Sequence, residues 1–260
     1  MGFAVILGEA IASPDIPPRA AFFGFITGFL LLGACTIQDL DIRSSWFGGK
    51  ELDHGGYLVN PNEAISVAIV LASLGLLSAA YLGSLALLTA LLCTAVIIAY
   101  HARMKKIELA KDAFAGSFVA LMLVFAGFAV GGPTLLLLIC SILALFSSTG
   151  RSIMKNMFET MTNLPRQAES DQDPTGNRAS GAGKQSAACF LAAVGTSALP
   201  VLRGLVSIYY IPLAVICDVG FLLTAYSLSS SPTFHSARRS EKYVLLWMSF
   251  GLLAFLIGTI

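Results

Sequence analysis

Four polar side chains recur at every fourth residue between positions 151 and 163. They are Arg151, Lys155, Glu159 and Asn163, with Asn156 beside them. A helix places residues four apart on one face, so we expect a polar stripe on a helix that continues out of the preceding apolar stretch. Two interpretations are open: a solvated helix end stabilised by charge pairs, or a site that binds an anion and a metal ion.

Two acids follow an earlier apolar stretch. Asp39 is four residues before Arg43, and Asp41 is four residues before Ser45. On a helix the two acids would point to different sides, so as a pair they are a weak signal for a metal site. Solvated acids at a helix end are the simpler interpretation.

Basic residues cluster after another apolar stretch, where Lys105 and Lys106 follow Arg103. The simpler interpretation is that these charges set the orientation of a membrane protein. The functional alternative is a diphosphate partner, because Lys and Arg neutralise phosphate oxygens.

Two further acids, Glu9 and Asp218, fall inside apolar segments, and Asp218 is the deeper of the two. Ionisable groups inside a membrane are costly, so each raises a functional hypothesis. Pairing with a backbone or hydroxyl group for structural reasons is the alternative, and the sequence leaves both open.

The elements that carry these residues are helices in lipid. Of the 260 residues, 56% are hydrophobic and only 12% are charged, a balance that a water-soluble domain of this size cannot cover with polar surface. Each cysteine stands alone in an apolar run, so metal and disulfide sites are not expected. No cleavable signal peptide is predicted, and the first apolar stretch, 3–12, is interpreted as a short or truncated first helix.

Eight longer stretches approach the roughly 20 apolar residues that a membrane span needs. They are 20–37, 63–81, 84–100, 113–131, 133–148, 187–202, 205–229 and 243–260. With the short first helix they predict an all-α, multi-pass transmembrane bundle of about nine helices, forming one domain over 1–260 without a soluble second domain.

The connections between these helices predict an orientation. In a nine-helix count the long polar loops 38–62, 101–112, 149–186 and 230–242 emerge on one face, and they carry all of the 16 Lys and Arg residues except Arg19 and Arg203. The positive-inside rule makes that face cytoplasmic, in a cell membrane. Segment 164–186 is rich in turn formers and predicts a mobile cytoplasmic loop.

In this layout the chain resembles the UbiA superfamily of membrane prenyltransferases, and within it the archaeal digeranylgeranylglyceryl phosphate synthases. The resemblance covers almost the whole chain. It is clearest at Val59–Ala64, Asp112–Gly132, Gly150–Lys155 and Ser197–Pro200, and from Asp218 through Ala237–Lys242 to Gly251–Gly258.

Members of this family use two aspartate-rich motifs to hold Mg²⁺ on an allylic diphosphate, and both are altered here. The first is usually Asn-Asp-x-x-Asp-x-x-x-Asp. This chain offers Gln38, Asp39 and Asp41 with a one-residue deletion, and Ser45 near the place of the last carboxylate.

The second motif is usually Lys-Asp-x-Glu-Asp-x-x-Gly-Asp and maps onto 155–163, where Glu159 is the one acid that remains. The resemblance implies catalytic and metal-binding roles for Asp39, Asp41 and Glu159, and a metal-binding role for Asn163. It implies diphosphate binding by Lys105, Lys106, Arg151, Lys155 and Asn156.

The activity that the resemblance implies is Mg²⁺-dependent transfer of a geranylgeranyl group from geranylgeranyl diphosphate to geranylgeranylglyceryl phosphate, in archaeal ether-lipid synthesis. The expected partners are a polyprenyl diphosphate, a lipid-like acceptor and membrane lipid, with no nucleic acid and with protein partners left open. The alternatives are a prenyltransferase with another lipid or aromatic acceptor, and a non-catalytic membrane protein of the same fold. A channel or transporter is disfavoured, because no inverted hydropathy repeat is evident.

Overall fold

A computed structural model describes residues 2–13, 17–46, 61–102, 108–163, 174–230 and 234–259. Within these ranges the chain is helical, without a strand. The helices are α1 (Gly2–Ala12), α2 (Pro18–Trp46), α3 (Pro61–Leu82), α4 (Ser84–Ala102), α5 (Glu108–Ala129), α6 (Leu135–Asn163), α7 (Pro174–Ser197), α8 (Leu199–Leu202), α9 (Tyr210–Ser230) and α10 (Phe234–Gly258). Because α8 is a single turn, the described part confirms the predicted all-α architecture of about nine helices.

Six stretches in the described residues are long and apolar enough to cross a membrane. They lie in α3, in α5, in α6, from α7 through α8, in α9 and in α10, while α2 and α4 carry shorter apolar stretches. Only a helix satisfies its own backbone hydrogen bonds in hydrocarbon, which is why apolar runs of this length fold as helices. The chain is a multi-pass membrane protein.

The helices form two compact units. The first contains Met1–Met104 with Val124–Pro133, and in it α2 packs against α1 and α3, and α3 against α4. The hydroxyl oxygens of Thr27 in α2 and Ser78 in α3 lie 2.6 Å apart. Gly83 alone joins α3 to α4 at φ +138°, a conformation that residues with a Cβ rarely adopt.

The second unit contains Lys105–Leu123 with Thr134–Ile260, and in it both α6 and α9 pack against α7 and α10. Two glycines permit close approach of helices. A Cβ on Gly150 of α6 would lie 3.1 Å from Cβ of Cys189 in α7. A Cβ on Gly220 of α9 would overlap the indole ring of Trp247 in α10, so that ring occupies the space that the glycine leaves.

The helix ends correct part of the predicted loops. The polar segment 151–163 continues α6 as predicted, but α2 extends to Trp46, into the predicted loop 38–62. Helix α7 begins at Pro174, so 174–186 of the predicted mobile loop are helical, while 164–173 lie outside the described residues. Proline is accepted in a first helical turn, and the Ser186 hydroxyl donates a 2.8 Å hydrogen bond to the Gly150 carbonyl of α6, which anchors this extension.

The turn before α9 is longer than the apolar pattern suggests. The predicted span 205–229 begins as a helix at Tyr210, and Gly204, at φ +62°, ends the turn after α8. The backbone N–H of Leu205 donates to the carbonyl of Pro200 at 2.9 Å, and that of Ser207 donates to the carbonyl of Gly258 at 3.0 Å. Hydrogen bonds of this kind satisfy the backbone where the helix stops.

Candidate active site at the polar end of α6

The first half of α6 is apolar and its second half carries the predicted polar stripe. The side chain of Arg151 is half-buried, that of Lys155 is exposed and that of Asn156 is half-buried. Glu159 and Asn163 lie on the last turns of the same helix, but their side chains are outside the described set. One helix therefore carries all five residues of the second motif to which a role was assigned.

A buried carboxylate that the sequence analysis did not assign to the site joins this helix. Asp112 of α5 is only 5% exposed. Its Oδ1 accepts a 2.7 Å hydrogen bond from the Ser152 hydroxyl and a second hydrogen bond from Nδ2 of Asn156. An ionised carboxylate only accepts hydrogen bonds, so the Asn156 amide must turn its NH₂ group towards Asp112. Two donated hydrogen bonds stabilise a buried negative charge.

A glycine one turn further along α5 sets the approach of Asp112 to α6. A Cβ on Gly116 would overlap the Thr149 hydroxyl and the Leu145 carbonyl oxygen of α6. Asp112 and Gly116 are four residues apart and share a helix face. Close contact at Gly116 therefore brings Asp112 to Ser152 and Asn156. The signal that could have revealed Asp112 is this acid and glycine spacing on an otherwise apolar helix.

The basic side chains of the stripe supply chemistry for binding an anion. Among the described residues, Nε of Arg151 is buried and has no hydrogen-bond partner. A guanidinium N–H buried without an acceptor costs free energy, which an incoming anionic oxygen would recover. Lys155 adds a second positive charge one turn along the helix.

The remaining predicted site residues are placed only in part. Asp39 and Asp41 lie near the C-terminal end of α2 in the first unit, and their side chains are outside the described set. Lys105 and Lys106 lie outside the described residues altogether. The structure thus brings Asn156 together with Ser152 and Asp112, and the roles assigned to the first motif stay predictions.

The donor chemistry at the end of α6 is compatible with a hard cation and a diphosphate. Among the described side chains no group of three or more His, Cys, Asp or Glu residues is placed to hold a metal ion, and that search did not reach Asp39, Asp41 or Glu159. The described oxygens are a carboxylate, an amide and a hydroxyl, the ligand types that Mg²⁺ accepts. Together with the two cations they fit a metal-bound diphosphate.

The two acids inside apolar segments have different surroundings. Asp218 of α9 accepts a 2.6 Å hydrogen bond on Oδ2 from the Ser197 hydroxyl of α7, whose carbonyl in turn accepts one of 2.9 Å from the Tyr210 hydroxyl. This is the hydroxyl partner that the structural interpretation required. Glu9 is 0% exposed, and neither of its carboxylate oxygens has a hydrogen-bond partner among the described residues.

Comparison with known proteins identifies sequence relatives. Residues 57–251 match the model of the UbiA prenyltransferase family. A digeranylgeranylglyceryl phosphate synthase from Methanococcus vannielii is 30% identical over 167 residues, which cover 64% of this chain and 59% of that protein. The synthase of the same name from Methanocaldococcus jannaschii is 29% identical over 163 residues, covering 56% of this chain and 52% of that protein. The matched region is thus less than two thirds of either relative.

Two solved structures share the fold. One, from work on digeranylgeranylglyceryl phosphate synthase in membranes, superposes with a TM-score of 0.79 at 23% identity, covering 100% of this chain and 92% of the other. The second is a UbiA homologue from Aeropyrum pernix K1, with a TM-score of 0.64 at 16% identity, covering 95% and 94%. The family model spans most of the sequence and these folds agree with it, so this chain belongs to the UbiA prenyltransferase family.

Proposed function

We propose that this protein transfers a geranylgeranyl group from geranylgeranyl diphosphate to the free hydroxyl of geranylgeranylglyceryl phosphate, with Mg²⁺ as cofactor. Family membership and the names of the relatives support the reaction class and the substrates. The observation that carries the proposal is the polar end of α6, where Arg151 and Lys155 accompany the hydrogen-bonded group of Asp112, Ser152 and Asn156.

The reaction breaks the C–O bond between the allylic carbon and the diphosphate, and the electron pair leaves with the diphosphate. The acceptor oxygen then bonds to the allylic carbon and releases its proton, so the products are an ether and pyrophosphate. Bound Mg²⁺ would neutralise charge on the leaving diphosphate. Arg151 and Lys155 bind diphosphate oxygens, with Lys105 and Lys106 as further candidates, and apolar helices keep water from the allylic cation.

Asp39, Asp41 and Glu159 are the proposed metal ligands, with Asn163 as a neutral one. Replacing carboxylates by amides keeps an oxygen but removes its charge, so this site should bind Mg²⁺ more weakly than one with complete motifs. We place the site on the cytoplasmic face, since the loops on that side carry nearly all the basic residues.

A second candidate function follows from the same replacements. Asn stands at positions 156 and 163, where the second motif usually has Asp. This loss of charge favours a non-catalytic membrane protein that keeps the fold and binds a lipid.

The deciding experiment measures pyrophosphate release from geranylgeranyl diphosphate by the detergent-solubilised full chain. Mg²⁺ and geranylgeranylglyceryl phosphate are each supplied and withheld. Release that requires both supports the proposed reaction. Release that requires Mg²⁺ but is indifferent to this acceptor indicates another acceptor, and no release from folded protein favours the non-catalytic candidate.

A further inference from the structure

We infer that Asp112 is a positioning residue of the metal and diphosphate site, acting through Asn156 to supply the negative charge that position 156 lacks. The inference rests on the proposed function, because it assigns Asp112 a task in the same site. No motif of the sequence analysis includes Asp112; the inference comes from its contacts.

The geometry makes Asp112 and Asn156 one unit. The two residues are 44 positions apart in sequence and lie on different helices, yet Nδ2 of Asn156 donates to Oδ1 of Asp112. The Ser152 hydroxyl donates to the same oxygen at 2.7 Å. Ser152 and Asn156 are four residues apart on α6, so Asp112 contacts one face of that helix over a full turn.

The orientation of the amide follows from this pairing. With its NH₂ group bound to the carboxylate, the Asn156 amide directs its carbonyl oxygen to the opposite side of the amide plane. A primary amide that donates to an anion is polarised, which raises the negative charge on its carbonyl oxygen. Asn156 thereby becomes a better oxygen ligand for a hard cation, in the way that partners behind a metal ligand orient and strengthen it.

The competing explanation is that Asp112 only clamps α5 to α6. Asp112→Asn separates the two explanations. The new amide is the same size and its oxygen still accepts hydrogen bonds from Ser152 and Asn156, whereas the negative charge is lost. A clamp survives this change, but a charge supplied to the metal site does not.

The test measures Mn²⁺ binding by electron paramagnetic resonance, with inorganic pyrophosphate as the probe anion and the detergent-solubilised full chain. Mn²⁺ is a suitable stand-in for Mg²⁺ because it also takes oxygen ligands. Asp112→Asn is expected to raise the half-saturating Mn²⁺ concentration by about 10- to 100-fold, the usual effect of removing a partner behind a metal ligand. The Mg²⁺ concentration that half-saturates pyrophosphate release should rise with it.

Two further variants keep the inference falsifiable if Asp112→Asn folds poorly. The double variant Asp112→Asn with Asn156→Asp exchanges the two side chains and preserves one carboxylate and one amide. It should bind Mn²⁺ at least as tightly as the wild type. Asn156→Ala removes the group through which Asp112 acts, so adding Asp112→Asn to it should weaken Mn²⁺ binding no further.

Asp218→Asn provides the matched control, because it makes the same chemical change at another half-buried aspartate of this unit. It should leave Mn²⁺ binding unchanged. Wild-type affinity in Asp112→Asn, or an exchanged variant that binds no better than Asp112→Asn, would overturn the inference while the proposed function stands. A wild-type chain that neither binds Mn²⁺ with pyrophosphate nor releases pyrophosphate would overturn both.

Discussion

Asp112 and Asp218 are both acids on helices of the second unit, and they differ in what surrounds them. Asp112 accepts two side-chain hydrogen bonds on one oxygen, from residues that alternate along α6 with the cations Arg151 and Lys155. Asp218 accepts one, from Ser197, and its Oδ1 is buried without a partner among the described residues. The neighbours therefore indicate a role in the site for Asp112 and a structural role for Asp218.

The largest expected effect tests whether the polar end of α6 carries the chemistry at all. Glu159→Gln removes the last acid of the second motif, and Asp41→Asn removes one acid of the first. Each should abolish prenyl transfer, by about 100-fold or more, because charge in the transition state loses its stabilisation. The unfolding midpoint should stay near that of the wild type. Retained turnover in both variants would remove the basis for a two-motif site.

The next effect tests how Asp112 is held. Gly116→Ala adds a methyl group where the Leu145 carbonyl and the Thr149 hydroxyl of α6 leave no room. We expect a loss of about 1–3 kcal/mol in the free energy of unfolding, as is usual for overpacking, with a weaker response to Mg²⁺. Gly195→Ala is the matched control, since its new methyl group would meet nothing within 4 Å. Equal stability of the two variants would contradict the close approach of α5 and α6.

A smaller effect should come from Asp218→Asn. Loss of the charged acceptor for the Ser197 hydroxyl should lower the free energy of unfolding by about 1–2 kcal/mol. The Mg²⁺ dependence of turnover should not move. A specific loss of turnover in a protein of wild-type stability would instead give Asp218 a functional role and erase the contrast with Asp112.

The smallest effect concerns the first unit, where Ser78→Ala removes the hydroxyl that lies 2.6 Å from that of Thr27. Hydrogen bonds between membrane helices contribute about 0.6 kcal/mol on average, so the free energy of unfolding should fall by that order. Urea or heat titration in one detergent would measure it. A loss as large as that of Gly116→Ala would show that neutral hydroxyl pairs stabilise this protein as strongly as close helix packing does.

The sequence predicted the helices well because apolar runs of about 20 residues have only one stable backbone form in lipid. It also predicted that α6 continues to Asn163, because the four-residue spacing from Arg151 is a local signal. It missed the hydrogen bonds of Asp112, since Ser152 is 40 positions away and no local pattern records a pairing between helices. The helical start of α7 at Pro174 was missed for a related reason, because its anchor, Ser186 against Gly150, is a tertiary contact.

The contact between Gly220 and Trp247 makes the second unit visible by spectroscopy. The chain has two tryptophans, Trp46 in α2 of the first unit and Trp247 in α10 of the second. In a Trp46→Phe background, the fluorescence of Trp247 would report on the seam between α9 and α10 alone, because its ring occupies the notch at Gly220. The emission spectrum would then show whether a substitution elsewhere loosens this unit, without any label being added.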